Sequence, residues 1–433
     1  MAVSPTRTSE VPRPTAIDLY AGAGGLSLGM EQAGFDVLAA AELDPVHALT
    51  HRYNMPLTSV LCGDLSQGSV SDVARTLRDT AAATSVHRGS AAFSGIDAVV
   101  GGPPCQGFSV GGIRDADDER NGQFVRFVDL VVELQPKVFL LENVAGLLEP
   151  RFEALRKEAT RRLTVDGGYD VTGFEAVVNA VDFGVPQRRR RVLLMGSRTG
   201  RVPSLARFKD DEKVTVGEAL AGLPAPSTYP QLLSTDEARL HADDLAGLRA
   251  VTSEYTRRLA GVAVDPADLS WPRVSDAGVI TNSLRTVHKD QSVRRFNSTP
   301  PGGVEAISRL FRLDPEGQAR TLRAGTGTDR GSHTSPRPIH PVEDRVITVR
   351  EAARLHGYPD WFRFHGTNWH GHRQVGNSVP PPLAAAAGRA LITSLRWPAL
   401  TRPTEALSLG EKAWLRMGRA EAIAELSRLA DTS

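Results

Sequence analysis

The sequence predicts an α/β fold, a doubly wound sheet followed by a smaller and irregular second domain. Up to about residue 200, short apolar segments rich in Val, Ile and Leu alternate with helical segments, the pattern of strands joined by crossover helices. From about 200 to 340 the chain is rich in Pro, Gly, Thr and Arg and has no clean periodicity, which indicates the irregular domain. A helical pattern returns at Thr348, which has capping-box spacing with Glu351.

The predicted elements follow the chain in order. A strand over residues 15–20 leads through a glycine-rich turn into a helix that reaches about Ala33. A second strand, over 37–43, ends at Asp44 and Pro45, a favourable pair for starting a helix. The other expected elements are a strand at 60–63, a surface insertion at 66–95 with a polar helix, a strand at 96–100, a helix at 123–134, a strand at 138–141 that ends in Glu142, two strands within 170–180 and 191–196, an alanine-rich helix after residue 382 and an amphipathic helical tail within 404–429.

Composition excludes several classes of protein. No apolar run approaches the roughly 20 residues of a membrane helix, and the N-terminus has no apolar signal core, so we expect a cytoplasmic protein without membrane association. The only two cysteines, Cys62 and Cys105, argue against a disulfide framework or a cysteine-based zinc site, and no metal site is predicted.

Arginine is the dominant basic residue, with 6 lysines among 51 basic residues and therefore 45 arginines. Codon bias explains such an excess as well as DNA binding does, so its location matters more than its size. Between Arg285 and Arg337, ten basic residues face five acidic ones, a local balance of +5. A basic, loop-rich segment is typical of a nucleic-acid interface, although a solvated loop region has the same composition.

Cys105 follows the predicted strand at 96–100 within the segment Gly-Gly-Pro-Pro-Cys. Open α/β sheets bind ligands at the carboxyl ends of their strands, and the two prolines restrain the backbone before the thiol. A restrained thiol at this edge is a candidate nucleophile. A buried structural cysteine explains the segment equally well when it is considered alone.

A glycine-rich turn between the first strand and its helix predicts a nucleotide-like cofactor at a helix N-terminus. The dinucleotide fingerprint requires glycines at 22, 24 and 27, and Ser27 therefore argues against a nicotinamide enzyme. Glu42 ends the second strand about 20 residues on, where a carboxylate binds ribose hydroxyls. Asp64 ends the third strand and could contact an adenine edge. These acids point to one crevice.

Six segments stand out along the chain: DLYAGAGGLSLG from Asp18, GGPPCQGFS from Gly101, ENV from Glu142, FGVPQRRRRV from Phe183, ITVREAARLHGYPD from Ile347 and QVGNSVPPPL from Gln374. In kind and order they resemble the motifs of DNA (cytosine-5) methyltransferases, over roughly residues 15–200 and 345–390. The resemblance implies a Rossmann-like methyltransferase sheet with a target-recognition domain. It also implies methyl transfer from S-adenosyl-L-methionine, which leaves S-adenosyl-L-homocysteine, to carbon 5 of a cytosine flipped out of double-stranded DNA.

The resemblance divides the chain into five expected parts. They are a disordered lead-in at 1–14, a catalytic and cofactor-binding domain at 15–205, a target-recognition domain at 206–344, a return segment at 345–400 that completes the catalytic domain, and a helical tail at 401–433.

The resemblance also assigns roles to individual residues. Cys105 would add to carbon 6 of the cytosine and Glu142 would hold N3 and the amino group, so that the charge created by the attack is relieved. Arg189 and Arg191 match the family's arginine motif and complete the catalytic set, with Arg191 orienting the base. The expected cofactor residues are Tyr20, Gly22, Gly24, Gly25, Glu42, Leu43, Asp64, Leu65, Pro104, Phe124, Asn377 and Ser378. The expected DNA-binding residues are Ser109, Arg120, Arg188, Arg320 and Arg323.

Two alternatives stay open at this point. A tRNA cytosine-5 methyltransferase of the same fold is disfavoured because its usual Cys-Phe-Thr tripeptide is absent. A catalytically silent DNA-binding subunit is disfavoured because Cys105, Glu142 and Arg191 are all present. We expect a nucleoid-associated monomer of a restriction-modification or phage-defence system, with a cognate nuclease or defence proteins as partners. The recognition sequence cannot be deduced from the chain.

Overall fold

The structure is a computed structural model that describes residues 12–87, 93–104, 121–174, 177–210, 212–325 and 337–430. Its strands are β1 (Thr15–Leu19), β2 (Asp36–Glu42), β3 (Ser59–Cys62), β4 (Ala98–Gly101), β5 (Val138–Val144), β6 (Asp170–Thr172), β7 (Val178–Asn179), β8 (Gln187–Arg188), β9 (Arg190–Ser197), β10 (Ala238–Arg239), β11 (Val279–Ile280) and β12 (Ala319–Arg320).

The α-helices of the same residues are α1 (Gly25–Ala33), α2 (Pro45–Asn54), α3 (Val70–His87), α4 (Asn121–Leu134), α5 (Glu153–Arg161), α6 (Val216–Leu220), α7 (Ala242–Arg249), α8 (Glu254–Leu259), α9 (Asp290–Asn297), α10 (Val349–Arg354), α11 (Asn368–Asn377), α12 (Pro381–Leu395) and α13 (Arg419–Ala430). The described part of the chain contains no helix that is both long and apolar enough to cross a membrane.

Eight strands form the central sheet in the order β3-β2-β1-β4-β5-β9-β6, with β7 also paired to β9. The strands from β3 to β5 are parallel, whereas β9 runs antiparallel to β5 and to β6. The predicted doubly wound α/β fold is confirmed, and its first strand lies in the middle, where the chain reverses the direction in which it adds strands. Ligands bind open sheets at this position.

Alternation along the strands divides the core between the two faces of the sheet. Val99, Phe139 and Leu141 pack with α3 and α4 on one face, and Val100 and Leu140 pack with α1 and α12 on the other. The sheet is therefore covered on both sides, as parallel sheets require.

Helix α12 returns from the far end of the chain and packs directly on α1. The two helices approach closely because glycines face small side chains: a Cβ on Gly29 would lie 2.3 Å from the Cβ of Ala384, and one on Gly388 would lie 2.6 Å from the Cβ of Ala33. Helix α12 thus completes the layer that the first helix begins.

The described residues between β9 and α12 form an irregular layer of short helices and two-residue strands. Its apolar cluster includes Leu313 and Leu322 and is shared with Leu28 of α1 and with α10 and α11. A buried ion pair fixes the layer to α1: Arg273 donates from both of its Nη atoms to the carboxylate of Glu31, 2.9 Å in each case.

Three sequence expectations are corrected by these contacts. The segment 66–95 is not simply a surface insertion, because Leu77 and Ala81 of α3 are buried in the main core. The lead-in does not extend to residue 14, because Arg13 is 4% exposed and pairs with Asp36 over 3.1 Å. A 3-10 helix at Leu205–Phe208 crosses the boundary expected after residue 205.

Candidate active site

The carboxyl ends of the parallel strands bring the motif residues to one edge of the sheet. Leu19, the last residue of β1, is in register with Gly101 at the end of β4, and Gly101 is in register with Leu141 of β5. Glu42 ends β2 on one side of this centre and Glu142 follows Leu141 on the other. The edge therefore holds two of the predicted site carboxylates, Glu42 and Glu142.

Glu142 and Arg191 form an ion pair at this edge, with 2.6 Å between Oε1 of the glutamate and Nε of the arginine. Both side chains are 12% exposed, so the pair is largely shielded from water yet reachable. Gly102 lies beside it, since a Cβ at that position would be 3.3 Å from Oε2 of Glu142. Asn143 donates from its amide to the carbonyl of Pro103 over 3.3 Å, which holds the segment against β5.

Three predicted site residues, Cys105, Ser109 and Arg120, lie outside the described residues, so their roles stay predictions. Pro104, the last described residue before Cys105, is exposed. The backbone that leads to Cys105 thus runs beside the glutamate of the ion pair.

The four consecutive arginines are not equivalent, because they lie in extended backbone that alternates between two environments. Arg188 and Arg190 are exposed, Arg191 faces Glu142, and Arg189 is 2% exposed. Arg189 donates to the carbonyls of Leu322, Gly376 and Ser378 at 3.2, 3.0 and 2.9 Å. Its expected catalytic role is corrected: the buried guanidinium ties three backbone segments together and is not presented to a substrate.

The β1–α1 turn has the backbone geometry of a ligand cradle. Gly22 and Gly24 have φ of +56° and +102°, values that favour glycine. A Cβ on Gly22 would meet no atom within 4 Å, so the turn faces open space at this point. Tyr20 also adopts a positive φ, +60°, and its hydroxyl donates to Oε1 of Gln123 over 2.9 Å.

Glu42 connects this turn to the next one. Its carboxylate accepts hydrogen bonds from the backbone N–H of Gly22 and of Asp44, each 2.8 Å long. Leu43 between them is 60% exposed. The two loops that the motifs predict to hold a cofactor are therefore fixed by one side chain.

Asp64 organises the turn after β3. It accepts hydrogen bonds from the backbone N–H and the hydroxyl of Ser66 at 2.9 and 2.7 Å, and these bonds lower the pKa of the Asp64 carboxyl. The adjacent carbonyl of Leu65 accepts from Arg126 over 2.7 Å. The turn is held in one conformation, and the aspartate stays ionised.

The remaining cofactor candidates divide into exposed and enclosed residues. Asn377 is exposed at the end of α11, whereas Ser378 is buried and donates from its hydroxyl to the carbonyl of Val375 over 2.8 Å. Gly25 packs against the protein, because a Cβ there would lie 2.2 Å from the Tyr358 hydroxyl. Phe124 is corrected: its ring is 0% exposed within the main core and offers no surface to a cofactor.

Sequence reasoning missed two buried polar residues beneath the cradle. Asp18 accepts a hydrogen bond from the hydroxyl of Ser27 over 2.6 Å, and burial raises the pKa of its carboxyl to about 7. His51 of α2 lies under Gly24, 3.4 Å from where a Cβ would stand, and burial lowers its pKa to about 4. Ser27 stands where the dinucleotide fingerprint has its third glycine, and this departure was the sequence signal that could have pointed to its partner Asp18. No comparable signal in the sequence pointed to His51.

A second opening, which we call the arginine cavity, lies where β8 pairs with β12. Its volume is about 410 Å³, and its lining residues are Arg188, Arg309, Leu310, Phe311, Leu313, Arg320, Thr321, Leu322, Arg323, Arg337 and Pro338. The structure thus brings together the predicted DNA contacts Arg188, Arg320 and Arg323. Arg309 and Arg337 belong to the basic segment noted in the sequence but were not singled out.

Comparison with known proteins agrees with this arrangement. The model of a family described as C-5 cytosine-specific DNA methylase matches residues 15–393. Type II methyltransferase M.XorII of Xanthomonas oryzae pv. oryzae is 45% identical over 416 residues, 95% of this chain and 92% of its own length. Type II methyltransferase M1.HphI of Haemophilus parahaemolyticus is 32% identical over 386 residues, 87% and 86% of the two chains.

Two solved structures are similar to this chain. A protein described as a DNA modification methyltransferase encoded within an E. coli prophage superimposes with a TM-score of 0.69 at 33% identity, over 88% of this chain and 99% of the other. The Dnmt2 methyltransferase of S. pombe, at 15% identity and a TM-score of 0.55, shares the fold. Since the family model spans the sheet, the irregular layer and the return helix together, this chain belongs to the C-5 cytosine-specific DNA methylases.

Proposed function

We propose that this enzyme transfers a methyl group from S-adenosyl-L-methionine to carbon 5 of a cytosine flipped out of double-stranded DNA at a specific sequence. The observation that carries the proposal is the ion pair between Glu142 and Arg191, which stands beside the backbone leading to Cys105. A carboxylate paired with a guanidinium beside this backbone supports the proposal, because the two groups could hold a base between them.

The thiol supplies the covalent step. Cytosine is a poor nucleophile at carbon 5, so the thiolate of Cys105 first forms a bond to carbon 6, and the electron pair of the C5–C6 double bond becomes available at carbon 5. After methylation, the proton on carbon 5 is lost to water, and the electron pair that it leaves restores the double bond and expels the thiolate. Cys105 therefore begins and ends the cycle as the same thiolate.

Glu142 would hold the base during this addition. A carboxylate can accept a hydrogen bond from the amino group and stabilise a proton at N3, which relieves the negative charge that the thiolate brings to the ring. Arg191 lies 2.6 Å from that carboxylate, so it fixes the orientation of Glu142, and its remaining N–H groups can contact the cytosine carbonyl.

The cradle fits the methyl donor, which supplies an electrophilic sulfonium methyl group when bound. Gly22 faces open space, Leu43 is exposed, and Glu42 stands between them at the end of β2. We assign Glu42 to the ribose hydroxyls, Tyr20 and Asp64 to the adenine, and Gly22, Gly24 and Asn377 to the remaining contacts.

Flipping the target cytosine out of the duplex costs a few kcal/mol of unstacking, which contacts in the base pocket must offset.

Two experiments test the proposal. Bisulfite sequencing of DNA from cells that express the protein should show one methylated sequence motif, and soluble protein without any methylated motif would contradict it. DNA that contains 5-fluorocytosine should form a covalent complex with the wild type but not with Cys105→Ala, because fluorine at carbon 5 blocks release of the thiol. Transfer to tRNA but not to duplex DNA would favour the tRNA alternative. A cognate nuclease and a monomeric state stay predictions.

A further inference from the structure

We propose that Arg320, whose guanidinium lies over the ring of Phe311, recognises a guanine of the target sequence in the major groove. This inference rests on the proposed function, because it names the base that one part of the recognition surface contacts. Arg320 lines the arginine cavity, whose chemistry differs from that of an ordinary surface depression.

The lining of the arginine cavity is basic and, within the part of the chain that the structure describes, contains no acidic residue. Five of its eleven residues are arginines, and the others are apolar apart from Thr321. Like charges at close range repel one another, so such a cluster is favourable only next to an anion or in a well-solvated opening. Duplex DNA is the polyanion that the proposed function brings to this chain.

Arg320 lies over an aromatic ring that lines the same cavity. Its guanidinium carbon lies 3.9 Å from the centroid of the Phe311 ring, close enough for a cation–π contact. A guanidinium stacked by its face keeps its N–H groups directed outward in one plane. Among the described residues, no side-chain hydrogen bond or ion pair occupies these donors.

The backbone beneath Arg320 is fixed to the catalytic part of the chain. Residues 319 and 320 pair in parallel with Gln187 and Arg188, and the Thr321 hydroxyl donates to the carbonyl of Arg188 over 2.8 Å. Both backbone polar groups of Leu322 are held by side chains, its N–H by Gln187 at 3.1 Å and its carbonyl by Arg189 at 3.2 Å. A residue that discriminates bases needs such a rigid support.

Arg309 faces the same cavity from a second fixed loop. Its φ is +60°, a conformation that costs a residue with a side chain about 1 kcal/mol or more. The carboxylate of the nearby Glu305 accepts hydrogen bonds from the N–H of Ile307, at 3.0 Å, and from Ser308, and these bonds maintain the loop. The cavity is therefore bounded on two sides by backbone that is already in place.

A planar, outward-facing pair of donors matches the two acceptors, O6 and N7, that guanine presents in the major groove. A phosphate can also accept two hydrogen bonds, but it carries no sequence information. The stack on Phe311 restricts the plane of the guanidinium, which benefits recognition of a flat base edge more than contact with a phosphate. We therefore assign Arg320 to a base.

The test uses the full-length enzyme and a library of duplexes randomised around a fixed cytosine, with methylation measured by bisulfite sequencing. Arg320→Lys keeps the charge but loses the planar pair of donors, and Phe311→Leu keeps the arginine but removes the stack. Both variants should lose about tenfold or more of the preference for guanine at one and the same position, with the other positions unchanged. Arg249→Lys, at an exposed arginine outside the cavity, should leave every preference as in the wild type.

Two results would overturn the assignment. One is a uniform loss of rate on all sequences with a salt dependence reduced by about one ion, which identifies a phosphate contact. The other is an unchanged preference at every position in both variants. A wild type that methylates no duplex would instead refute the proposed function, so the two failures are distinguishable. Thermal melting of each variant excludes misfolding, which the exposed position of Arg320 makes a small risk.

Discussion

Glu142 and Arg191 face each other across two antiparallel strands, with 2.6 Å between the carboxylate and Nε. The pairing of β5 with β9 sets this contact, because it places Arg191 opposite Val144 and Leu193 opposite Glu142. Strand pairing rather than a loop thus fixes the distance, and geometry carried by regular elements is well suited to hold a reacting base.

Glu142→Gln should reduce methyl transfer by about 100-fold or more, because a neutral amide cannot stabilise the proton at N3 that the thiol addition requires. Single-turnover transfer to a duplex with one target cytosine measures the effect, and calorimetry should show unchanged binding of the methyl donor. Glu153→Gln, at an exposed ion pair with Lys157, is the control. Equal rates for Glu142→Gln and the wild type would refute the assigned role.

Arg189→Lys should lower the free energy of unfolding by about 2–4 kcal/mol, because one ammonium group cannot replace three buried hydrogen bonds to the carbonyls of Leu322, Gly376 and Ser378. Urea unfolding measures the change. Arg190→Lys, one residue along and exposed, should stay within about 0.5 kcal/mol of the wild type. Equal losses of unfolding free energy in the two variants would show that the buried position of Arg189 is not the cause of the destabilisation.

Local signals in the sequence predicted most of the sheet and several helix starts. Asp44 accepts a hydrogen bond from the N–H of Val46 with Pro45 at the first position of α2, and Thr348 and Glu351 form a complete capping box. These features depend on residues within three positions of each other, so a single sequence reveals them. The predicted ends of β1, β2 and β3 differ from the observed ends by one residue.

Contacts between distant residues were not predictable in the same way. Glu31 and Arg273 are 242 positions apart, and no local pattern connects them. The run of four arginines looks uniform in sequence, but strand alternation sends Arg189 into the interior. Helix α3 appeared to be a surface insertion because its buried stripe, which includes Leu77 and Ala81, is narrow and otherwise surrounded by polar residues.

Gly29→Ala should destabilise the fold by about 1–3 kcal/mol, since the new methyl group would lie 2.3 Å from the Cβ of Ala384 and force α1 away from α12. Thermal or urea unfolding provides the measurement. Gly247→Ala is the matched control: it also lies in a helix, but its Cβ would meet no atom within 4 Å, so alanine should stabilise that helix by roughly 0.5–1 kcal/mol. The same sign for both variants would contradict close packing at Gly29.

Asp18→Asn should make stability less dependent on pH. Burial raises the folded-state pKa of Asp18 to about 7 from 3.8, so between these values the folded protein holds a proton that the unfolded chain has lost, and wild-type stability falls as pH rises. The stability of Asp18→Asn minus that of the wild type should therefore increase from pH 4 to 7, by a total of about 4 kcal/mol, and level off above pH 7. Urea unfolding across this range measures the difference, in which the contributions of the buried histidines cancel because both proteins contain them.

Asp276→Asn is the control: Asp276 is an exposed carboxyl whose pKa is lowered by the N–H of Gly278 and by Arg239. The stability of Asp276→Asn minus that of the wild type should instead decrease from low pH to pH 4 and then stay level. A flat difference for Asp18→Asn would show that this carboxyl is ionised in the folded protein at neutral pH, with its burial compensated beneath the cofactor turn.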